Sequence, residues 1–152
     1  MKKLLTAYKK RGLTLGSVES MTGGLFSAKF TGIPGSSAVF KGTIVTYSVE
    51  EKINIVGVKK ETIDKFGVVS KEVATEMAEL GRKLLNVDVC VSVTGNAGPS
   101  VEPGGKPVGC FYVGVSSKKG TSVKEYFLSQ KRNMVRNGAV LAMRDLAYLE
   151  II

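Results

Sequence analysis

Three observations in this sequence predict a three-layer α/β/α domain built on a mixed, mostly parallel sheet. Helical patterns alternate with short apolar runs over the first 95 residues. One of those runs, Val87 to Val93, is nearly free of polar residues, as a strand covered on both faces must be. The last two runs are joined by Lys118-Lys-Gly120, a hairpin signature that adds antiparallel strands to a sheet otherwise wound through helices. At 152 residues the chain is long enough to bury a sizeable core, and no repeat, low-complexity tract or composition break divides it. Residues 1–152 are therefore read as a single domain.

In chain order, Leu4, Leu5 and Tyr8 recur at helical spacing within residues 2–11, and Gly12 closes that helix. Leu13 to Val18 reads as a strand, and Leu25 to Phe30 as a helix that Gly32 and Pro34 must stop. Residues 31–37 form a loop. Ala38 to Tyr47 is rich in Val, Ile, Thr and Phe and predicts a strand. Ser48-Val-Glu-Glu51 then matches a capping box, so a helix starts there, with Lys52 in its first turn and Gly57 at its end. A short helix follows from Glu61 to Phe66. Ser70 caps a longer one through Leu85, with Val73, Met77, Leu80, Gly81 and Leu84 along one face. After the strand at 87–93 and a polar loop from Ser100 to Lys106, Val108 to Ser117 and Thr121 to Leu128 pair as the hairpin. A helix from about Arg132 to Leu149 ends the chain, its apolar stripe being Val135, Ala139, Ala142, Met143, Leu146 and Leu149.

Composition removes several kinds of chemistry. The chain has no histidine, which excludes Ser-His-Asp and Cys-His catalysis and any metal site that needs imidazole. The two cysteines, Cys90 and Cys110, lie in separate apolar segments without CxxC spacing and read as buried free thiols. The net charge of +9 is spread in small groups such as Lys2-Lys3, Lys9-Arg11 and Lys59-Lys60, without interleaved aromatics. It reads as a solvated basic surface rather than a nucleic-acid interface. No apolar run reaches the roughly 20 residues that span a bilayer, and Met1-Lys-Lys-Leu-Leu meets Tyr8-Lys-Lys-Arg11 too soon for a signal peptide, so a cytoplasmic location is expected.

The stretch LGSVESMTGGLF, from Leu15 to Phe26, is a strand-turn-helix junction. It places Ser20 at a strand end beside the backbone N–H groups of Met21, Thr22, Gly23 and Gly24, where developing negative charge is stabilised. A serine nucleophile in a chain without histidine needs a lysine, carboxylate or tyrosine as its base. Lys52 is the candidate, because burial and a helix N-terminus both disfavour its ammonium form. Tyr47, at a strand end five residues earlier, is expected to join the pair by a hydrogen bond. Glu19 alternates with Ser20 along the strand, points the other way and is expected to orient the turn. Thr94 and Gly95 end the second strand-to-glycine junction and offer hydroxyl and backbone contacts to a ligand. Capping alone is the alternative role for Ser20 and Thr22, and a phosphate cradle is the alternative role for the glycines.

Several segments together resemble the C-terminal domain of the CinA (competence/damage-inducible) family, which also occurs as stand-alone nicotinamide mononucleotide amidases. They are ESMTGG at Glu19 to Gly24, PGSSAVF at Pro34 to Phe40, VTYSVEEK at Val45 to Lys52, GVVSKEVA at Gly67 to Ala74, SVTGNAGP at Ser92 to Pro99, KPVG at Lys106 to Gly109 and KRNMVR at Lys131 to Arg136. The resemblance implies metal- and cofactor-independent hydrolysis of the nicotinamide mononucleotide carboxamide to nicotinic acid mononucleotide and ammonia. It implies that Ser20 is the nucleophile, Lys52 its base and Tyr47 a member of the same site. It also implies that Glu19, Met21, Thr22, Gly23, Gly24, Thr94, Gly95 and Arg132 belong to the substrate pocket, and that the assembly is a homo-oligomer. The family commonly has cysteine where Met21 stands, isoleucine where Asn96 stands and an acidic residue where Lys131 stands. These three departures bear on which substrate is accepted. A nucleotide-binding module without catalysis is the alternative that the family name also covers.

Overall fold

The computed structural model describes residues 1–152. Helix α1 (Lys2–Arg11) ends at Gly12 in the left-handed conformation and leads into strand β1 (Leu15–Glu19). Helix α2 (Leu25–Thr31), a 3-10 turn at Ser36–Ala38 and β2 (Phe40–Val45) follow. Ser48 caps the single turn α3 (Val49–Glu51) by accepting from the Glu51 N–H at 3.2 Å. From Lys52 to Val56 the chain widens into a π turn that ends at Gly57. Helices α4 (Lys60–Phe66) and α5 (Lys71–Leu85) lead to β3 (Val89–Gly95), then β4 (Cys110–Ser117), β5 (Gly120–Phe127) and α6 (Arg132–Leu149).

The sheet order is β2-β1-β3-β4-β5. Strand β1 lies parallel to both β2 and β3, while β4 runs antiparallel to β3 and to β5. Four strands thus point one way and only β4 opposes them, as the mixed, mostly parallel expectation requires.

Alternation along the strands divides the core into two layers. Leu15, Val89, Val91, Val93, Phe111, Val113 and Val115 pack with α1, α2 and α6 in the larger cluster. Val18 and Cys90 face α5 and the chain around Val56, Val58 and Ile63. At Gly114 an added Cβ would lie 2.7 Å from the Ala74 carbonyl oxygen, so glycine there lets α5 lie close on β4. The core face of α5 is shifted from the expected stripe: Val73, Ala74, Met77, Ala78 and Gly81 are buried, whereas Leu84 is exposed. Leu149 is likewise exposed, whereas Leu146, Ala147 and Ile151 around it are buried in the core. Cys90 and Cys110 are buried and unpaired, and burial pushes the Cys90 thiol up to about 12. No helix is long and apolar enough to cross a membrane.

Candidate active site

The parallel strands β1, β2 and β3 end together, and crevices beyond such carboxyl ends are where open α/β sheets hold their ligands. Ser20 is the residue immediately after β1 and is buried. The Lys52 amine approaches it from the start of the π turn and donates to Ser20 Oγ at 2.8 Å. A second hydrogen bond, also 2.8 Å, runs from the same amine to the Thr46 carbonyl. Only 1% of Lys52 is exposed, and no carboxylate forms a salt bridge with it. Burial without a counter-charge lowers its pKa to about 8. Once deprotonated, the amine still has an N–H for Thr46, which turns its lone pair toward the Ser20 hydroxyl. The hydrogen bond between them then reverses, with Ser20 donating.

Glu19 faces the opposite side of the sheet and is fully buried beneath the glycine turn. Its carboxylate accepts from the Thr22 hydroxyl at 2.7 Å and from the N–H groups of Gly24, Phe26 and Ser27 at 3.1, 3.1 and 3.0 Å. The start of α2 is therefore capped by an acid inside the chain, a charge-assisted use of the orphan donors at a helix start. This corrects two expectations for the glycine junction. The start of α2 has no donors left for a phosphate, and the Gly24 N–H cannot serve an oxyanion. The Gly23 N–H is also spent, on the Ser20 carbonyl at 2.9 Å. The N–H groups of Met21 and Thr22 have no partner in the chain and remain as donors beside Ser20.

Tyr47 does not join the Ser20–Lys52 pair. Its hydroxyl accepts from Arg132 at 2.8 Å, and the ring is 61% exposed. The place expected for Tyr47 is taken by the Thr46 carbonyl. Arg132, at the first turn of α6, also donates to the Gly98 carbonyl and so bridges the ends of β2 and β3. Thr94 follows Val93 on β3 as Ser20 follows Glu19 on β1, and its hydroxyl donates to the Val68 carbonyl at 2.8 Å. Gly95 is required by packing: a Cβ there would lie 2.3 Å from Phe111 Cβ and 2.5 Å from Met21 Sδ. Met21 itself is 5% exposed and belongs to the core cluster on the α6 side, so its bulk fills space over Gly95 rather than over Ser20. Asn96 ties the following loop together, donating to the carbonyls of Ser100 and Lys106 and accepting from the Gly98 N–H.

A cavity of about 690 Å³ opens beside Arg132, lined by Ala97, Pro99, Val108, Ser129, Gln130, Lys131 and Arg132. One residue absent from the sequence-based candidates belongs to the turn: Arg136 donates to the Met21 carbonyl at 3.1 Å and to the Thr22 carbonyl at 2.9 Å. Its position four residues after Arg132 in the KRNMVR segment was the available signal, since it places both guanidinium groups on one side of α6. No group of three or more Cys, Asp or Glu side chains is arranged to hold a metal ion.

The architecture and site define an α/β/α domain with a buried serine–lysine pair at the carboxyl end of its sheet. A family model described as the CinA C-terminal domain matches residues 1–149, and the chain belongs to that family. A CinA-like protein of Fervidobacterium nodosum is 46% identical over 143 residues, covering 94% of this chain and 35% of that protein. The chain thus spans about a third of the length of the curated relatives it matches. Among solved structures, the competence or damage-inducible protein from Enterobacter asburiae superposes with a TM-score of 0.96 at 27% identity, covering 99% of this chain and 95% of that one. The competence/damage inducible protein CihA from Agrobacterium tumefaciens gives a TM-score of 0.91 at 32% identity, with 95% and 89% covered.

Proposed function

We propose that this chain is an amidohydrolase that removes ammonia from the carboxamide of nicotinamide mononucleotide. The observation that carries the reading is the 2.8 Å contact between the buried Lys52 amine, its pKa lowered to about 8, and the Ser20 hydroxyl in a chain without histidine. Neutral Lys52 takes the Ser20 proton as Oγ bonds to the carboxamide carbon. The oxyanion that forms meets the N–H groups of Met21 and Thr22. The C–N bond breaks, the proton on Lys52 passes to the leaving nitrogen, and ammonia departs. Water, deprotonated by the same amine, then releases nicotinic acid mononucleotide from Ser20. The cavity beside Arg132 and Lys131 suits the anionic phosphate end of the substrate, and Arg132 bridges it to Tyr47. Assembly as a homo-oligomer is part of the same proposal, read out by the mass of the native particle.

Ammonia release from nicotinamide mononucleotide tests the reading. We expect Ser20→Ala and Lys52→Ala each to lower kcat by about 10³-fold or more, as loss of a nucleophile or its base does in comparable serine hydrolases. Full activity in either folded variant would overturn the assignment. Binding of the nucleotide without turnover by the wild type would favour the non-catalytic module instead.

A further inference from the structure

We infer that Arg136 is a positioning residue that aims the oxyanion-binding N–H groups of the Ser20 turn, an inference that rests on the amidohydrolase reading above. The turn from Ser20 to Gly23 is closed by a hydrogen bond between its ends, which leaves the amides of Met21 and Thr22 at its apex without partners in the chain. A trans peptide unit is planar, so its N–H points opposite to its C=O. The Met21 carbonyl belongs to the same peptide plane as the Thr22 N–H, and Arg136 Nε holds that carbonyl at 3.1 Å. The N–H is thereby directed away from α6, toward the side on which Ser20 meets Lys52. The next plane is gripped as well, through Arg136 NH2 and the Thr22 carbonyl at 2.9 Å. That plane carries the Gly23 N–H that closes the turn. One rigid guanidinium thus fixes two consecutive peptides, a geometry that lysine, with its single ammonium, cannot reproduce.

The charge of Arg136 is committed to this task. It forms no salt bridge, and its one other contact is to Asn133 Oδ1 at 3.2 Å, one turn earlier on α6. A cation at a carbonyl draws electron density along the amide and strengthens the N–H at the other end as a donor. Glu19 acts on the opposite side of the turn, taking the N–H groups of Gly24, Phe26 and Ser27. Between them, an anion occupies the donors of α2 while a cation occupies the carbonyls of the turn. The donors left over are those beside the nucleophile.

The test uses phosphonylation of Ser20 by a fluorophosphonate, followed by intact mass. In that step the Ser20 Oγ–P bond forms, the P–F bond breaks, fluoride leaves and the serine proton passes to Lys52. The oxygen on phosphorus draws on the same N–H groups as a carboxamide oxyanion. We expect Arg136→Gln to slow labelling about 10²-fold, the scale of losing one oxyanion donor, and millimolar guanidinium ion to restore part of the rate. The pH midpoint set by Lys52 should stay where it is in the wild type, a constancy that general loosening of the site would not preserve. Arg136→Lys, which keeps the cation and one carbonyl contact, should fall between the two rates and carries the test should the glutamine variant not fold. A wild-type labelling rate in either folded variant, or a shifted midpoint, overturns the inference while leaving the nucleophile assignment intact. Failure of the wild type to label at Ser20 overturns the nucleophile assignment and this inference with it.

Discussion

In the proposed reaction Lys52 combines two requirements that oppose each other in water: it must be neutral to accept a proton and long enough to reach the serine. Burial resolves the conflict by penalising the ammonium form, which places its pKa at about 8. Because only the unprotonated amine can act as base, kcat/KM should rise about tenfold per pH unit below the midpoint and level off above about pH 8. A steady-state pH series on the wild type checks this, and a flat profile would show that another group limits the reaction. Met21 poses a different question, since relatives in the family commonly carry the smaller cysteine there. Its side chain packs over Gly95 in the core cluster, away from Lys52, so Met21→Cys should lower stability by about 1–2 kcal/mol through the space it vacates. It should leave kcat/KM for nicotinamide mononucleotide within about twofold, measured by ammonia release alongside urea unfolding. A large kinetic change would mean that Met21 shapes the substrate pocket directly.

At the scale of elements, the decisive device is the buried carboxylate of Glu19 under the turn and the first residues of α2. It receives three backbone N–H groups, the Thr22 hydroxyl and, at longer range, the hydroxyls of Ser17 and Thr43, with no cation in contact, so its charge is balanced by dipoles alone. Glu19→Gln replaces one accepting oxygen by an NH₂ that faces donors. We expect a loss of about 2–4 kcal/mol in denaturant unfolding and a kcat decrease larger than any change in KM, because the turn beside Ser20 loses its anchor. The alternation of Glu19 and Ser20 made this role legible in the sequence, as the Ser48 capping box and the missing histidine made Lys52 legible. Tyr47 was misjudged because its partner, Arg132, lies 85 residues away and is brought to it only by docking of α6. The partner of the Thr94 hydroxyl, the Val68 carbonyl 26 residues earlier, is likewise set by packing and not by local pattern. Arg136 needed the fold as well, since its contacts with Met21 and Thr22 span more than a hundred residues. Local signals of capping, alternation and composition thus reached the Ser20–Lys52 pair and the order of elements, while contacts set by helix docking lay beyond them.

Over the whole molecule, the site is a cost to stability that the rest of the fold must offset. In the unfolded chain Lys52 titrates near its ordinary value of 10.5, and in the folded one near 8. Below about pH 8 both states hold the proton, and folding bears the full cost of burying the ammonium. Between about 8 and 10.5 the unfolded chain binds more protons than the folded one, so stability gained from this group rises with pH across that window. Above it both states are neutral and the cost is gone. Lys52→Met keeps the volume and removes the charge, at the loss of the hydrogen bonds to Ser20 and Thr46. At pH 7 we therefore expect the methionine variant to be more stable by about 1–3 kcal/mol, with the difference shrinking toward pH 10. Unfolding by guanidinium chloride at several pH values measures both curves. Equal stability of the two proteins at pH 7 would mean that Lys52 sits neutral or well solvated in the folded state, and the basis for its role as a base would then need another cause than burial.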